Sequence, residues 1–95
     1  MPKKTKKKTL PVAPDDMCFW VNNGSVLKDL KELHQALSDM ADETFAYHVN
    51  QEKNDFARWT EDVLKELDLA KKLMKVKTRK AAIKALDTYF KEAGF

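Results

Sequence analysis

The sequence predicts a mainly α-helical protein: a compact bundle of four to five short helices, with a minimal N-terminal β element and a disordered lysine-rich tail in front. Three observations predict this fold class. Apolar residues recur at the helical spacing of three and four positions, as at Leu30, Leu33 and Leu37. Hydrophobic residues make up 43% of the chain, which is typical of a folded protein. A length of 95 residues suits one small domain.

The first expected elements are a short extended run and a turn. Residues 18–21 are rich in strand-forming side chains, and the Asn-Asn-Gly sequence at 22–24 favours a tight turn. This run either forms a minimal hairpin with residues 25–26 or is an extended lead-in. Ser25 is a good N-cap, so a first helix is expected from Ser25 to about Leu37.

Four further helices are expected. The second begins near Ser38 and is interrupted at residues 50–53, Asn54 or Asp55 caps the third, and Thr78 starts the last, which Gly94 ends. The residues expected to face inward are Ala41, Phe45, His48 and Val49 in the second helix; Phe56, Trp59 or Thr60, Val63 and Leu67 in the third; Leu69, Ala70, Leu73 and Met74 in the fourth; and Ala82, Ile83, Leu86, Tyr89, Phe90 and Ala93 in the last.

The start of the chain determines the expected domain division. Five of the first nine residues are lysine with no acid among them, namely Lys3, Lys4, Lys6, Lys7 and Lys8. Pro11 and Pro14 follow, and so polar a segment cannot bury a core. We therefore expect residues 1–14 to be a disordered basic tail with a proline-bracketed linker, and residues 15–95 to be a single helical domain.

The formal net charge of +3 divides into three blocks. Residues 1–9 contribute +5. Residues 10–70 carry five basic and thirteen acidic side chains, a net charge of −8. Residues 71–95 carry eight basic and two acidic side chains, a net charge of +6. Two basic ends therefore flank an acidic middle, a layout that bears on association with partners and not on the fold.

The sequence predicts a location in the cytoplasm, without contact to a membrane. Cys18 is the only cysteine and cannot form an internal disulfide. Prolines rather than an apolar run follow the basic start, so no signal peptide is expected. No apolar run approaches the roughly 20 residues needed to span a bilayer.

Catalytic and metal-binding motifs are not recognisable. The two histidines and the single cysteine lack the close pair spacings of zinc sites. Gly24 and Gly94 are the only glycines, so there is no glycine-rich phosphate loop. We therefore expect no metal, no cofactor and no enzymatic activity.

The most suggestive polar group in the middle of the chain comprises His48, Asn54 and Asp55. His48 follows Phe45 by three residues, so its ring is expected to face inward and to meet Asp55 at the start of the third helix. A histidine oriented by a carboxylate occurs in proton-transfer and metal sites. The favoured interpretation is structural: the histidine ties two helices together, and Asn54 or Asp55 caps the third.

Part of this region resembles a family of small uncharacterised helical domains found in prokaryotes. The resemblance rests on Tyr47-His48-Val49, on the NDFARW sequence at residues 54–59, and on Leu69-Ala70. It covers roughly half of the chain. It implies a strand and turn leading into helices, and it implies no activity. The lysine tail and the lysine-rich last helix lie outside it.

The two basic ends predict a non-specific nucleic-acid-binding protein, associated with a nucleoid or with RNA. Lysines along the last helix are spaced so that they form a ridge that could meet backbone phosphates, and a flexible lysine arm could wrap a polyanion. Lysine without arginine reads few base edges. The expected contact residues are Lys3, Lys4, Lys6, Lys7, Lys8, Lys71, Lys72, Lys75, Lys77, Arg79, Lys80 and Lys84. Lys91 continues the ridge. DNA and RNA are not distinguished.

The alternative is a protein-interaction module that docks a partner on its acidic middle surface. In that case the tail has an accessory part or contacts the acidic surface of its own chain. Trp20 is a further candidate for this role, because the turn after it could leave its ring partly exposed.

Overall fold

The computed structural model describes residues 10–22 and 24–94. Within them the chain is mainly helical and carries a small two-stranded sheet, as the sequence predicts. The elements are a 3-10 turn (Asp15–Met17), β1 (Phe19–Trp20), β2 (Val26–Leu27), α1 (Leu30–Asp39), α2 (Asp42–His48), α3 (Asp55–Asp62), α4 (Leu67–Met74) and α5 (Arg79–Glu92). The expected disorder of residues 1–9 concerns a segment outside the described residues.

β1 and β2 form an antiparallel hairpin, which is the first of the two alternatives for this region. Phe19 lies opposite Leu27, and Trp20 lies opposite Val26. Phe19 and Leu27 are buried, whereas Trp20 and Val26 are exposed. The alternation of the strand therefore places one pair in the core and one on the surface.

Helix α1 begins at Leu30, so the prediction of an N-cap at Ser25 is wrong. The N-cap is Asp29, whose carboxylate accepts a hydrogen bond from the Glu32 backbone N–H at 2.9 Å. The Glu32 side chain in turn accepts from the Lys28 backbone N–H at 2.8 Å. These two bonds resemble a capping box, which has Glu or Gln three residues after the cap, although here the Glu32 side chain bonds the N–H of the residue before the cap. Ser25 has a lysine at that position, and Val26 and Leu27 enter β2 instead.

The segment before residue 15 packs onto the folded body. Val12 forms an antiparallel bridge with Asp29, and the Ala13 backbone N–H donates to the Lys28 carbonyl at 2.7 Å. Ala13 is buried within the core cluster. Part of the proline-bracketed linker is thus ordered, and the body begins before the expected boundary at residue 15.

The core is built from helix faces and the inner side of the hairpin. Its largest fully buried side chains are Leu30, Leu33, Leu37, Phe56, Thr60, Leu73 and Leu86. The Phe19 ring stacks on Phe56, with 4.9 Å between ring centroids, and meets Trp59 edge to face at 5.7 Å. The Trp59 indole N–H donates to the Met17 carbonyl at 2.8 Å. These contacts fix the hairpin against α3.

The connection between α3 and α4 departs from the predicted inward pattern. Leu64 is buried, whereas Leu67 and Met74 are both 54% exposed. Lys65 adopts a left-handed backbone conformation with φ of 61°, and the Glu66 N–H then donates to the Thr60 carbonyl at 3.1 Å. This turn rotates α4 so that its buried face comprises Leu69, Ala70 and Leu73.

Both ends of α5 match the predicted signals. The Thr78 hydroxyl accepts from the Ala81 N–H at 3.1 Å and caps the start. Gly94 has a φ of 91°, the left-handed conformation that follows many helix ends. Across the described residues, every helix is too short or too polar to cross a bilayer.

Candidate functional site

His48 joins three elements of the fold. Its side chain is 5% exposed, and its Nδ1 lies 3.0 Å from Oδ2 of Asp55 at the start of α3. Its Nε2 lies 3.0 Å from the backbone nitrogen of Asn22, at the hairpin turn. The ring also packs edge to face against Phe19 and Tyr47, with 5.0 Å between centroids in each case. The structure thus brings together His48 and Asp55, as the sequence predicts.

The two hydrogen bonds determine the tautomer of His48. A backbone N–H can only donate, so Nε2 must accept from Asn22 with an unprotonated nitrogen. Nδ1 therefore carries the proton, and the Nδ1–H group donates a hydrogen bond to the Asp55 carboxylate. Both ring nitrogens are engaged within the protein, so the ring has no free nitrogen for a metal or a substrate. The arrangement suits the structural interpretation of this cluster.

Asp55 accepts from a second donor. The Lys53 ammonium lies 3.0 Å from the same carboxylate oxygen and 4.9 Å from the centre of the Tyr47 ring. Partial burial raises the pKa of the Asp55 carboxyl, but the hydrogen bonds from His48 and Lys53 and the positive charge of Lys53 outweigh it. They hold the pKa below its ordinary value of 3.8. The carboxylate is therefore charged at neutral pH.

Asn54 has two structural roles. Its side-chain oxygen accepts from the Ala57 N–H at 3.0 Å, which makes Asn54 rather than Asp55 the N-cap of α3. Its side-chain nitrogen donates to the Leu73 carbonyl at 2.7 Å, near the end of α4. Asn54 thus ties α3 to α4, while Asp55 ties α3 to α2. Among the described residues, no group of three or more histidine, cysteine or acidic side chains could hold a metal ion.

Helix α5 presents three exposed lysines on one side, here called the lysine ridge: Lys80, Lys84 and Lys91. Their spacing of four and seven residues confines them to an arc of about 40° and a length of about 16 Å. The buried residues Ala82 and Leu86 occupy the opposite side of the helix. The ridge is therefore a straight row of charges directed away from the core.

The two acids of α5 are engaged elsewhere. Asp87 lies 2.7 Å from Nε2 of His34 on α1, and the Glu92 carboxylate lies 4.0 Å from the Lys72 ammonium on α4. Neither acid is paired with a ridge lysine. Asp87 lies next to the ridge in the helical projection and could pair with one of its lysines. Its carboxylate instead contacts His34.

Arg79 belongs to the fold rather than to the ridge. Its guanidinium donates to the carbonyls of Leu37 and Ser38, at 2.9 Å and 3.3 Å, and to the Asp42 carboxylate at 3.1 Å. These acceptors lie at the end of α1 and the start of α2. Of the predicted contact residues, Arg79 is therefore committed to holding α5 against α1.

The other predicted lysines surround the junction of α4 and α5. Lys71 and Lys72 lie in α4, Lys75 is its C-cap, and Lys77 lies in the link before the Thr78 cap. All four side chains are exposed. Lys3, Lys4, Lys6, Lys7 and Lys8 lie outside the described residues. The described residues carry thirteen basic and fifteen acidic side chains, so the body has a net charge of −2.

Two exposed apolar features accompany these charges. Trp20 is 75% exposed and lies across the hairpin from Val26, which is 49% exposed. The turn beside Trp20 predicts that its ring is partly exposed, whereas no sequence signal predicts the exposure of Val26. On α4, Leu67 and Met74 flank Lys71 on the outer face. The spacing of apolar residues along α4 does not predict which side of this helix the rest of the protein covers, and the covered side carries Leu69, Ala70 and Leu73.

The chain was compared with protein-family models, with curated proteins and with solved structures, and it matches none of them. The resemblance to the small prokaryotic helical domains stays a prediction.

Proposed function

We propose that this protein is a non-enzymatic nucleic-acid-binding protein that contacts backbone phosphates without reading sequence. The contacts would come from the lysine ridge, from Lys71, Lys75 and Lys77 beside it, and from the lysines of residues 1–9. Arg79 is left out because its guanidinium holds α5 to α1. Lys72 has a secondary part, since Glu92 lies within 4.0 Å of it.

The observation that carries this proposal is that neither acid of α5 forms an ion pair with a ridge lysine. The Asp87 carboxylate contacts His34, and the Glu92 carboxylate lies within 4.0 Å of the Lys72 ammonium. The three ridge ammonium groups thus remain available along about 16 Å of helix. A row of lysines of this length can meet several phosphates, and each neutralised phosphate releases counterions.

The overall charge of the body restricts where a polyanion can bind. With a net charge of −2, the described residues repel it on average, and attraction must come from the local field of the basic surface. Such fields extend about 8–10 Å at physiological salt. Binding by the body is therefore expected to be confined to the lysine ridge and the exposed lysines at the junction of α4 and α5, and to weaken steeply with salt. Lysine ammonium groups act as point charges and give little base specificity.

A protein partner with a basic surface is the second candidate. It is favoured by a groove of about 430 Å³ along the outer face of α3, lined by Glu52, Asp55, Glu61, Asp62 and Met74 together with Lys53, Asn54 and Arg58. The acids outnumber the bases there, and the exposed Met74 side chain adds an apolar contact at one end. Both candidates are binding proteins, and neither uses His48 chemically.

The deciding experiment measures the affinity of the full chain for random duplex DNA and RNA at several salt concentrations. The logarithm of the affinity is expected to fall linearly with the logarithm of the salt concentration, by about 0.9 for each phosphate neutralised on duplex DNA. Replacing Lys80, Lys84 and Lys91 by glutamine should reduce that slope by up to about 2.7. Removing residues 1–9 should reduce it by up to about 4.5.

A matched control replaces three exposed lysines elsewhere, Lys28, Lys31 and Lys65, by glutamine. The net charge changes equally, but the slope should change by less than in the ridge variant. An equal loss in both variants would indicate attraction by net charge alone. Absence of binding to either nucleic acid at low salt would refute the proposal and favour the protein partner.

A further inference from the structure

Two adjoining surface hollows, together called the groove here, lie between the hairpin and helix α1. Its two parts measure about 270 Å³ and 240 Å³ and share Ser25, Ala36 and Asp39 in their linings. Val21 and Met40 line the wider end, and Val26 lines the narrower end. The lining is therefore mixed: the apolar side chains of Val21, Met40 and Val26 lie among polar groups, which are the larger part at the Met40 end.

The charged side chains that line the groove are both acidic. Glu32 and Asp39 lie on α1, seven residues apart, which places them on one side of the helix with about 10 Å between them along its axis. Their carboxylates keep their local contacts: Glu32 accepts from the Lys28 N–H, and Asp39 accepts from the Gln35 amide at 3.0 Å. An extended segment with positive charges about three residues apart would complement this spacing, because an extended chain advances about 3.3 Å per residue.

We propose that the chain's own lysine tail, residues 1–9, docks in this groove. Val12 is bridged to Asp29, the N-cap of α1. The tail therefore joins the body close to the end of the groove where Glu32 lies. Nine residues span up to about 30 Å when extended, roughly three times the distance between the two acids. The tail carries five lysines, and its contacts with Glu32 and Asp39 would form within one molecule, at high effective concentration.

The docked tail would lie on the side of α1 away from the lysine ridge. His34 points toward α5, where it meets Asp87 and lies 5.8 Å from the Phe90 ring. Glu32 is two residues earlier, so it projects from roughly the opposite side of α1. A tail held there would be separated from the lysine ridge, whose positive charges repel the lysines of the tail. The docking uses the same lysines as the proposed nucleic-acid contacts, so it describes the chain without nucleic acid, and a bound polyanion would compete with Glu32 and Asp39 for the tail. Its test contains no nucleic acid, so its failure is distinguishable from a failure to bind nucleic acid.

The test attaches a nitroxide at position 5 of the full chain, after Thr5→Cys in a Cys18→Ser background, and records amide signals by NMR. The expected result is a selective loss of peak intensity at Ser25, Gln35 and Ala36. The loss should disappear at about 1 M salt, where charges are screened beyond about 3 Å. It should also disappear in a Glu32→Gln/Asp39→Asn variant, which removes both charges but keeps both hydrogen-bond acceptors.

The matched control is a Glu61→Gln/Asp62→Asn variant on α3, which should leave the loss at the groove unchanged. A loss centred on α3, or one that persists in the Glu32→Gln/Asp39→Asn variant, would overturn the proposal. A mixture of spin-labelled protein with isotope-labelled protein that lacks the nitroxide separates contacts between molecules from contacts within one. Loss of groove signals in that mixture would assign the occupant to a second copy and would also overturn the proposal.

Discussion

The Nδ1 atom of His48 lies 3.0 Å from Oδ2 of Asp55, across the connection between α2 and α3, and the opposite ring nitrogen receives the backbone N–H of Asn22. A buried imidazole is thus hydrogen-bonded at both nitrogens. The ring can hold this position only as long as the hairpin, α2 and α3 keep their arrangement. Its removal should therefore be measurable as lost stability.

Replacing His48 by alanine is expected to lower the free energy of unfolding by about 2–4 kcal/mol, because it leaves a cavity and an unpaired Asn22 N–H. Replacing Asp55 by asparagine keeps an acceptor for Nδ1–H and should cost only about 1 kcal/mol. Urea denaturation of both variants checks the order. A smaller loss for His48→Ala than for Asp55→Asn would contradict the structural role of the ring.

The Asp55 carboxylate should also make the free energy of unfolding depend on pH in the acidic range. Its pKa in the folded protein lies below the ordinary value of 3.8. At pH values between the folded pKa and 3.8, the unfolded chain therefore binds more protons at this group than the folded protein does. Stability from this group is present above 3.8 and is lost as the pH falls through the folded pKa. The stability difference between the wild type and Asp55→Asn should therefore shrink in strong acid. A difference that stays constant from neutral pH to pH 3 would contradict the depressed pKa.

Arg79 and Lys80 are adjacent cations with different expected roles. Arg79→Met removes donors to the Leu37 and Ser38 carbonyls, and it should destabilise the fold by about 1–2 kcal/mol. Lys80→Met removes the same charge from the exposed surface and should change stability by less than about 0.5 kcal/mol. Thermal unfolding of the pair distinguishes the two roles. Equal effects would mean that the Arg79 contacts contribute nothing beyond charge.

The left-handed backbone at Lys65 makes a stabilising substitution available. A side chain costs about 1 kcal/mol in this conformation, whereas glycine adopts it freely. Lys65→Gly is expected to raise the free energy of unfolding by up to about 1 kcal/mol, or the melting temperature by up to about 4–8 °C. Lys65→Ala keeps the strain and serves as the control. A lower melting temperature for the glycine variant than for the alanine variant would be the contrary result.

The sequence predicted those parts of the fold that depend on local chemistry. Asn54 and Thr78 cap their helices because a side-chain oxygen reaches an N–H three residues ahead, which is a short-range contact. The cap of α1 depends on the side chains of both Asp29 and Glu32, so the N-cap preference of Ser25 alone does not predict where the helix begins. Leu67 and Met74 are exposed, contrary to the helical spacing, because the turn at Lys65 sets the rotation of α4.

The candidate site was predictable to different extents. The meeting of His48 with Asp55 followed from the inward spacing and the short connection between their helices. The bond from Asn22 to His48 joins residues 26 positions apart, and no local pattern encodes it. The contacts of Arg79 with carbonyls about 40 residues away also depend on tertiary packing, so a count of basic residues assigned it to the surface.

The two-residue strands of the hairpin have a consequence for the order in which the protein opens. A two-stranded ribbon has little stability in water by itself, so this one persists because His48 and Phe56 hold it from outside. The hairpin is therefore expected to unfold whenever α2 and α3 unfold. It can also open locally while these helices remain folded. In native-state hydrogen exchange, the Val21 amide, which donates to the Ser25 carbonyl, should exchange earlier than the amides in the centre of α1.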